Sequence, residues 1–148
     1  MKAFRIKRKP KHPEDDLQVT LAEWLDRFLP KDVRWWHVPN GGKRDPFEAA
    51  RFKKMGVKAG VVDNHFVMPD GTLAVIELKI KPNRPTPEQE TFLAEVSRRG
   101  GYAACCYSLD ETLETLNTWL GDYGMSIRLP PKTTPTLEAR VRLARKAA

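Results

Sequence analysis

Between residues 14 and 29, Leu17, Leu21, Trp24, Leu25 and Phe28 recur every three or four positions. That is the period at which one face of an α-helix turns inward, and Pro30 marks its end. Val33-Arg34-Trp35-Trp36-His37-Val38 is β-branched and aromatic and predicts a strand, broken by Pro39-Asn40-Gly41-Gly42. Asp45-Pro46-Phe47-Glu48 has the spacing of a helix start, with Asp45 as cap, Pro46 in the first turn and Glu48 completing a capping box. Gly56 suits the left-handed position that closes such a helix. Two strands are predicted over 61–67 and 72–80, joined through the turn residues Met68-Pro69-Asp70-Gly71. A further helix opens at Thr86-Pro87-Glu88-Gln89 and stops at Gly100-Gly101. Tyr102 to Tyr107 reads as a strand. Residues 109–120 read as a last helix with Leu113, Leu116, Trp119 and Leu120 inward. The order αβαββαβα predicts a single α/β domain, a mixed central sheet flanked by helices.

Composition narrows the setting. The chain has 148 residues, 41% of them hydrophobic, enough for one domain with its own core. No apolar run approaches the ~20 residues of a membrane helix. The basic start of the chain has no apolar stretch behind it, so it does not read as a secretion signal. Cys105 and Cys106 are neighbours in sequence and read as small residues of a strand with reduced thiols, which fits the cytoplasm of a bacterium or of a phage host. Charge is uneven. Residues 1–11 carry six cations and no acid, and residues 137–148 carry a net of three, so the body between is slightly negative although the whole chain is +7. Basic ends favour a polyanionic partner through counterion release, and they also simply aid solubility. The chain divides into a basic arm (1–13), a globular domain (14–122), and a Pro-containing linker with a basic tail (123–148).

The candidate chemistry lies on the strand 72–80. Leu73, Val75, Glu77 and Lys79 share one face, and Ala74, Ile76, Leu78 and Ile80 the other. Both faces are otherwise apolar, so the strand is central and covered on both sides. An acid and a lysine at the end of such a strand are costly to bury unless paired or used. A Glu–Lys pair at the rim of the sheet is the plainer alternative. Asp63 lies on the preceding strand and, if the two pair antiparallel, comes beside Glu77. Two carboxylates and a lysine converging at a sheet edge suit metal-assisted hydrolysis, with Mg²⁺ or Mn²⁺ taking oxygen ligands.

The ordered set Asp63 then Glu77-Leu78-Lys79 resembles the PD-(D/E)XK nuclease superfamily. Asn40-Gly41-Gly42-Lys43-Arg44, the Ala-Ala-Arg helix, Met55 to Asp63, Ile76-Glu77-Leu78-Lys79 and Thr86-Pro87-Glu88-Gln89 together resemble its VRR-NUC branch over residues 14–110. The resemblance implies that Asp63, Glu77 and the backbone carbonyl of Leu78 hold metal. It makes Lys79 the catalytic lysine and Gln89 the helix glutamine that orients lysine or water. It also implies an acid from the first helix, for which Asp15 or Asp16, ahead of Gln18, is the less closely matched candidate. Two departures stand out. Val62 replaces the usual proline before the aspartate, and Asn64-His65 replaces an apolar residue after it. His65 should share the face of Asp63, at the border of the site or hydrogen-bonded near the turn. Gln89 has both a capping-box and an inward-facing reading.

Nucleic-acid contacts are expected from the loop Asn40, Gly41, Gly42, Lys43 and Arg44, and from Arg51 and Lys54 on the helix after it. The plainer reading is a tight turn with solvated cations. Trp35 and Trp36 could stack on a base, but at least one of two neighbours on a strand faces the core. The resemblance implies a metal-dependent DNA endonuclease acting on branched, flapped or junction DNA, with a possible homodimer spanning the junction. The rival is a non-catalytic nucleic-acid-binding protein of a phage or repair assembly.

Overall fold

The computed structural model describes residues 12–39 and 44–132. The expectations for Asn40, Gly41, Gly42 and Lys43, for residues 1–11 of the arm and for residues 133–148 of the tail lie outside them. The helices are α1 (Pro13–Phe28), α2 (Pro46–Lys54), α3 (Pro87–Arg98) and α4 (Leu109–Gly121); the strands are β1 (Arg34–His37), β2 (Asn64–Val67), β3 (Leu73–Leu78) and β4 (Tyr102–Cys106). The sheet order is β1-β2-β3-β4, with the first two pairings antiparallel and β3-β4 parallel. The expected mixed sheet with flanking helices is what forms, and β3 takes the interior position that its two apolar faces require.

Side-chain alternation sorts the core into two layers. Phe66, Ala74, Ile76 and Leu78 meet α1 and α4 through Leu21, Leu25, Leu113, Leu116 and Leu120. On the opposite face Val62, Val75 and Ala103 meet Phe92, Leu93 and Val96 of α3. Trp35 joins the first layer and lies 6.4 Å from the Phe66 ring, whereas Trp36 is 41% exposed. Helix α2 buries no residue. The segment after α4 also packs. Ile127 is buried, its N–H donates to Asn117 Oδ1 at 3.0 Å, and the Arg128 carbonyl accepts from Trp24 Nε1 at 2.7 Å. Packed structure thus continues beyond residue 122, with Met125 also against the core.

Strands β2 and β3 are shorter than their sequence pattern. Asp63 stands one residue before β2, and Lys79 one residue after β3. Asp45 caps α2 by accepting from Phe47 N–H at 3.2 Å, where the spacing predicted a capping box with Glu48. At α3 the predicted capping box forms in full between Thr86 and Gln89.

Gly60 decides how the segment before β2 meets α3. Its φ is +81°, and a Cβ built there would lie 2.5 Å from Glu88 Cβ and 2.6 Å from the Glu88 carbonyl carbon. Only glycine combines that backbone angle with that approach. Gly60→Ala should therefore lower stability by about 2 kcal/mol or more, from αL strain plus steric overlap. Urea unfolding measures this; a change within error would mean that the segment and α3 separate at no cost.

Candidate active site

Glu77 sits at the penultimate position of β3 and is 1% exposed. A buried carboxylate needs donors, and three different parts of the chain provide them. Lys79 Nζ lies 3.0 Å from Oε1, and Gln89 Nε2 donates to the same oxygen at 2.8 Å. The N–H of Asp63 donates to Oε2 at 3.2 Å. Lys79 is placed by its own backbone, whose N–H donates to the Cys106 carbonyl at 3.0 Å and carries the β3-β4 pairing one residue further. Gln89 fills both roles open to it. Its Oε1 accepts from Thr86 N–H at 2.9 Å while its Nε2 reaches Glu77, so the cap fixes which end of the amide faces the carboxylate.

Asp63 lies opposite Glu77 in continuation of the β2-β3 register, in which Asn64 pairs with Ile76. Its carbonyl accepts from Val38 N–H at 2.7 Å and lies 3.0 Å from His37 Nδ1. A carbonyl only accepts, so that contact is a hydrogen bond when Nδ1 carries the proton. The Asp63 carboxyl is pushed up to about 7, first by burial and next by the charge of Glu77, against the pull of Lys79. Burial also raises Glu77, against its bonds to Lys79. Burial alone would lower Lys79, but the hydrogen bond and charge of Glu77 outweigh it and hold the ammonium above its usual range.

These groups open on a cleft of about 700 Å³ whose walls include Leu78 and the first turn of α1. Asp15 lines the cleft, and Asp16 is not among its lining residues. Glu14 also lines it, and sequence reasoning passed it over. Its Oε1 accepts from Asn83 Nδ2 at 3.2 Å and from Ile80 N–H at 3.4 Å, and its charge acts on Asp63, Glu77 and Lys79. The signal was present, since Glu14 and Gln18 stand four apart and therefore on one helical face. Acids in a first helical turn are so commonly explained by the helix dipole that the pair does not stand out. His37 lines the cleft as well.

The two departures after Asp63 have separate explanations. Asn64 is fully buried and forms a reciprocal amide pair with Gln18. Gln18 Nε2 donates to Asn64 Oδ1 at 2.8 Å, and Asn64 Nδ2 donates to Gln18 Oε1 at 2.9 Å. This pair ties α1, four residues beyond Glu14, to the residue next to Asp63. His65 is turned away from the cleft. Its Nε2 lies 2.9 Å from the Val62 carbonyl, and its ring stands between Trp36 and Phe92 at 5.7 and 5.9 Å. Burial lowers its pKa. Arg44, Arg51 and Lys54 are exposed and do not line this cleft.

No protein-family model matches the sequence, and no curated protein matches it either. Among solved structures, one described as a VRR_NUC domain protein is similar, with a TM-score of 0.59 and 25% sequence identity. The likeness covers 73% of this chain and 88% of that one.

Two predictions follow from the geometry. Gln18→Leu leaves the Asn64 amide buried without its partner, and should cost about 1–3 kcal/mol. Adding Asn64→Leu should recover most of the loss, because no polar group is then stranded. Equal losses in the single and double variants, read by urea unfolding, would show that the pairing is not what matters. The second concerns pH. The Asp63 carboxyl ordinarily ionises near 3.8 but holds its proton to about 7 in the fold. The folded chain therefore binds more protons than the unfolded chain between those values, and loses stability as pH rises through them. Asp63→Asn removes that loss. In EDTA it should gain about 1–2 kcal/mol over the unaltered chain on going from pH 4 to pH 8, after allowance for solvent screening. A stability difference that does not change with pH would contradict the assignment.

Proposed function

We propose that this chain, which folds as a VRR-NUC-type domain, is a divalent-metal-dependent DNA endonuclease that hydrolyses phosphodiester bonds at Asp63, Glu77 and Lys79. The observation that carries the reading is the convergence, at one sheet end, of two carboxyl groups and a lysine held 3.0 Å from one of them. A glutamine bonds the same carboxylate.

The donor set suits Mg²⁺ or Mn²⁺. Asp63, Glu77 and the Leu78 carbonyl offer hard oxygen atoms, and burial, then the charge of Glu77, raises the Asp63 carboxyl, whose ionised form a cation would favour. Among the described residues no group of three or more His, Cys, Asp or Glu is arranged as a metal cage. The proposed ion would therefore be bound through one or two carboxylates and completed by water and phosphate. A bound Mg²⁺ or Mn²⁺ would lower the pKa of a coordinated water and neutralise charge on the scissile phosphate.

The protein's own contribution is orientation and charge. Lys79, kept protonated by Glu77, presents N–H donors to the attacking water or to a phosphate oxygen on which charge develops. Gln89, with one end of its amide held by Thr86, fixes the rotation of the Glu77 carboxylate and acts as a positioning residue. Glu14 and Asp15 border the same cleft and are the first-helix acids best placed to reach a metal-bound water. Branched, flapped or junction DNA is the substrate class proposed, and a homodimer is the form that would span a junction.

A labelled panel of single strand, duplex, 5′ flap, 3′ flap, fork and four-way junction tests the reading in Mg²⁺, Mn²⁺ and EDTA. Cutting should require the metal. Asp63→Ala and Lys79→Ala should each lower it by about 10³-fold with binding retained. Gln89→Ala should lower it about 10- to 100-fold, as groups that orient metal ligands do. Tight binding without cutting in any metal would replace the enzyme with a non-catalytic nucleic-acid-binding protein.

A further inference from the structure

A second concavity lies outside the carboxylate cleft, between α2 and the segment leading to Gly60. It measures about 460 Å³, within the ~300–1,000 Å³ range of small-ligand sites. Its charged lining is all of one sign: Arg44, Lys53 and Lys58, with no acid. None of the three forms an ion pair with a described residue. The rest of the wall is largely apolar, with Phe52 and Val57 the bulkiest members. The Arg44 guanidinium lies over the Phe52 ring, 4.9 Å from its centroid. Stacking of that kind orients the guanidinium plane yet leaves its edge N–H groups free for a phosphate.

Helical geometry explains why Lys53 belongs to this wall. Ala49, Phe52 and Lys53 stand at i, i+3 and i+4 and share one face of α2, and all three line the concavity. Arg51 and Lys54, the cations singled out from sequence, are not among its lining residues. The helix itself buries nothing, so this face is not committed to the core.

We propose that the concavity formed by Arg44, Phe52, Lys53, Val57 and Lys58 is a nucleic-acid subsite. It takes one nucleotide of a strand that, within about three steps, has another phosphate at Asp63, with backbone phosphate on the cations and base or sugar against Phe52 and Val57. The assignment rests on the nuclease reading above. Its position supports that occupant. Gly60 lines the concavity, and Asp63 lies three residues further along the chain. Three residues span at most about 11 Å, or roughly three nucleotide steps at the 3.4 Å axial rise of a duplex strand. A partner that binds both places must carry closely spaced negative charge and flat apolar groups, and a nucleic-acid strand has both.

The test uses the full chain carrying Lys79→Ala, so that the substrate survives. Affinity for a fluorescent 5′-flap oligonucleotide is measured by anisotropy in Ca²⁺ as a function of NaCl. Lys53→Ala with Lys58→Ala should weaken binding about 10-fold at 100 mM salt and lower the salt slope by about 1.5 to 2, the value for two phosphate contacts. Lys31→Ala with Arg98→Ala removes the same charge elsewhere and should change affinity less than about two-fold, since the effect of remote charges is screened. Phe52→Ala should weaken binding of the unaltered-charge chain with no change of slope. Circular dichroism checks that each variant folds. Equal losses for the two charge pairs would overturn the subsite and leave only a general effect of net charge. If the chain with Lys79 intact cuts the flap in Mg²⁺ while the Lys53/Lys58 pair behaves like the control, the subsite falls and the nuclease reading stands. If the parent chain binds no oligonucleotide at all, both fall.

Discussion

The buried carboxylate of Glu77 is the constraint on which the arrangement depends. A charge at 1% exposure on an interior strand is strongly unfavourable unless its oxygens are matched by donors. Here the donors come from separate places: the residue before β2, the first turn of α3, and the residue after β3. Each requires its own local structure to be right. The Asp63 N–H needs the β2-β3 register, Gln89 needs the Thr86 cap, and Lys79 needs the extra backbone bond to Cys106. A network with all members satisfied is more rigid than its bonds taken singly, so the polar centre that would do chemistry is also what aligns the sheet with α3.

How much of this was legible follows from how local each feature is. The two apolar faces of 72–80 revealed an interior strand, and the acid and lysine at its end stood out against them. Thr86 and Gln89, three residues apart, revealed a capping box. Features that depend on pairing between distant segments were not visible. Asn64 looked like a departure from pattern because Gln18, its partner, is 46 positions away. Glu14 was hidden among three successive acids in a first helical turn, where the helix dipole already accounts for all of them. The face of α2 that lines a concavity was not visible in the helix pattern, because the opposite wall comes from residues 57–60 beyond the helix.

Gly60 shows how the backbone limits the site. Its positive φ and its contact with Glu88 bring the chain against α3 one residue from Gln89, and three residues later the chain reaches Asp63. A side chain there would push apart two of the segments that donate to Glu77. The requirement for glycine is therefore tied to the carboxylate geometry, although Gly60 itself contacts neither carboxylate among the hydrogen bonds of the site.

The distribution of charge bears on how a polyanion could be handled. Asp63, Glu77, Glu14 and Asp15 line one cleft with Lys79 as its cationic side chain of fixed charge. Such a cleft repels phosphate unless positive charge is added, which is also why burial beside Glu77 holds the Asp63 proton to about 7. A divalent ion would answer both conditions, releasing the carboxyl for coordination and reversing the local field. The cations beside α2 lie outside that cleft, where they could hold a strand without competing for the carboxylates. On the proposed reading, the cations that would hold a strand are kept apart from the carboxylates that would coordinate, Lys79 excepted. A second Arg or Lys placed directly against Asp63 would occupy it as a salt bridge and depress its pKa, leaving less for a divalent ion to neutralise.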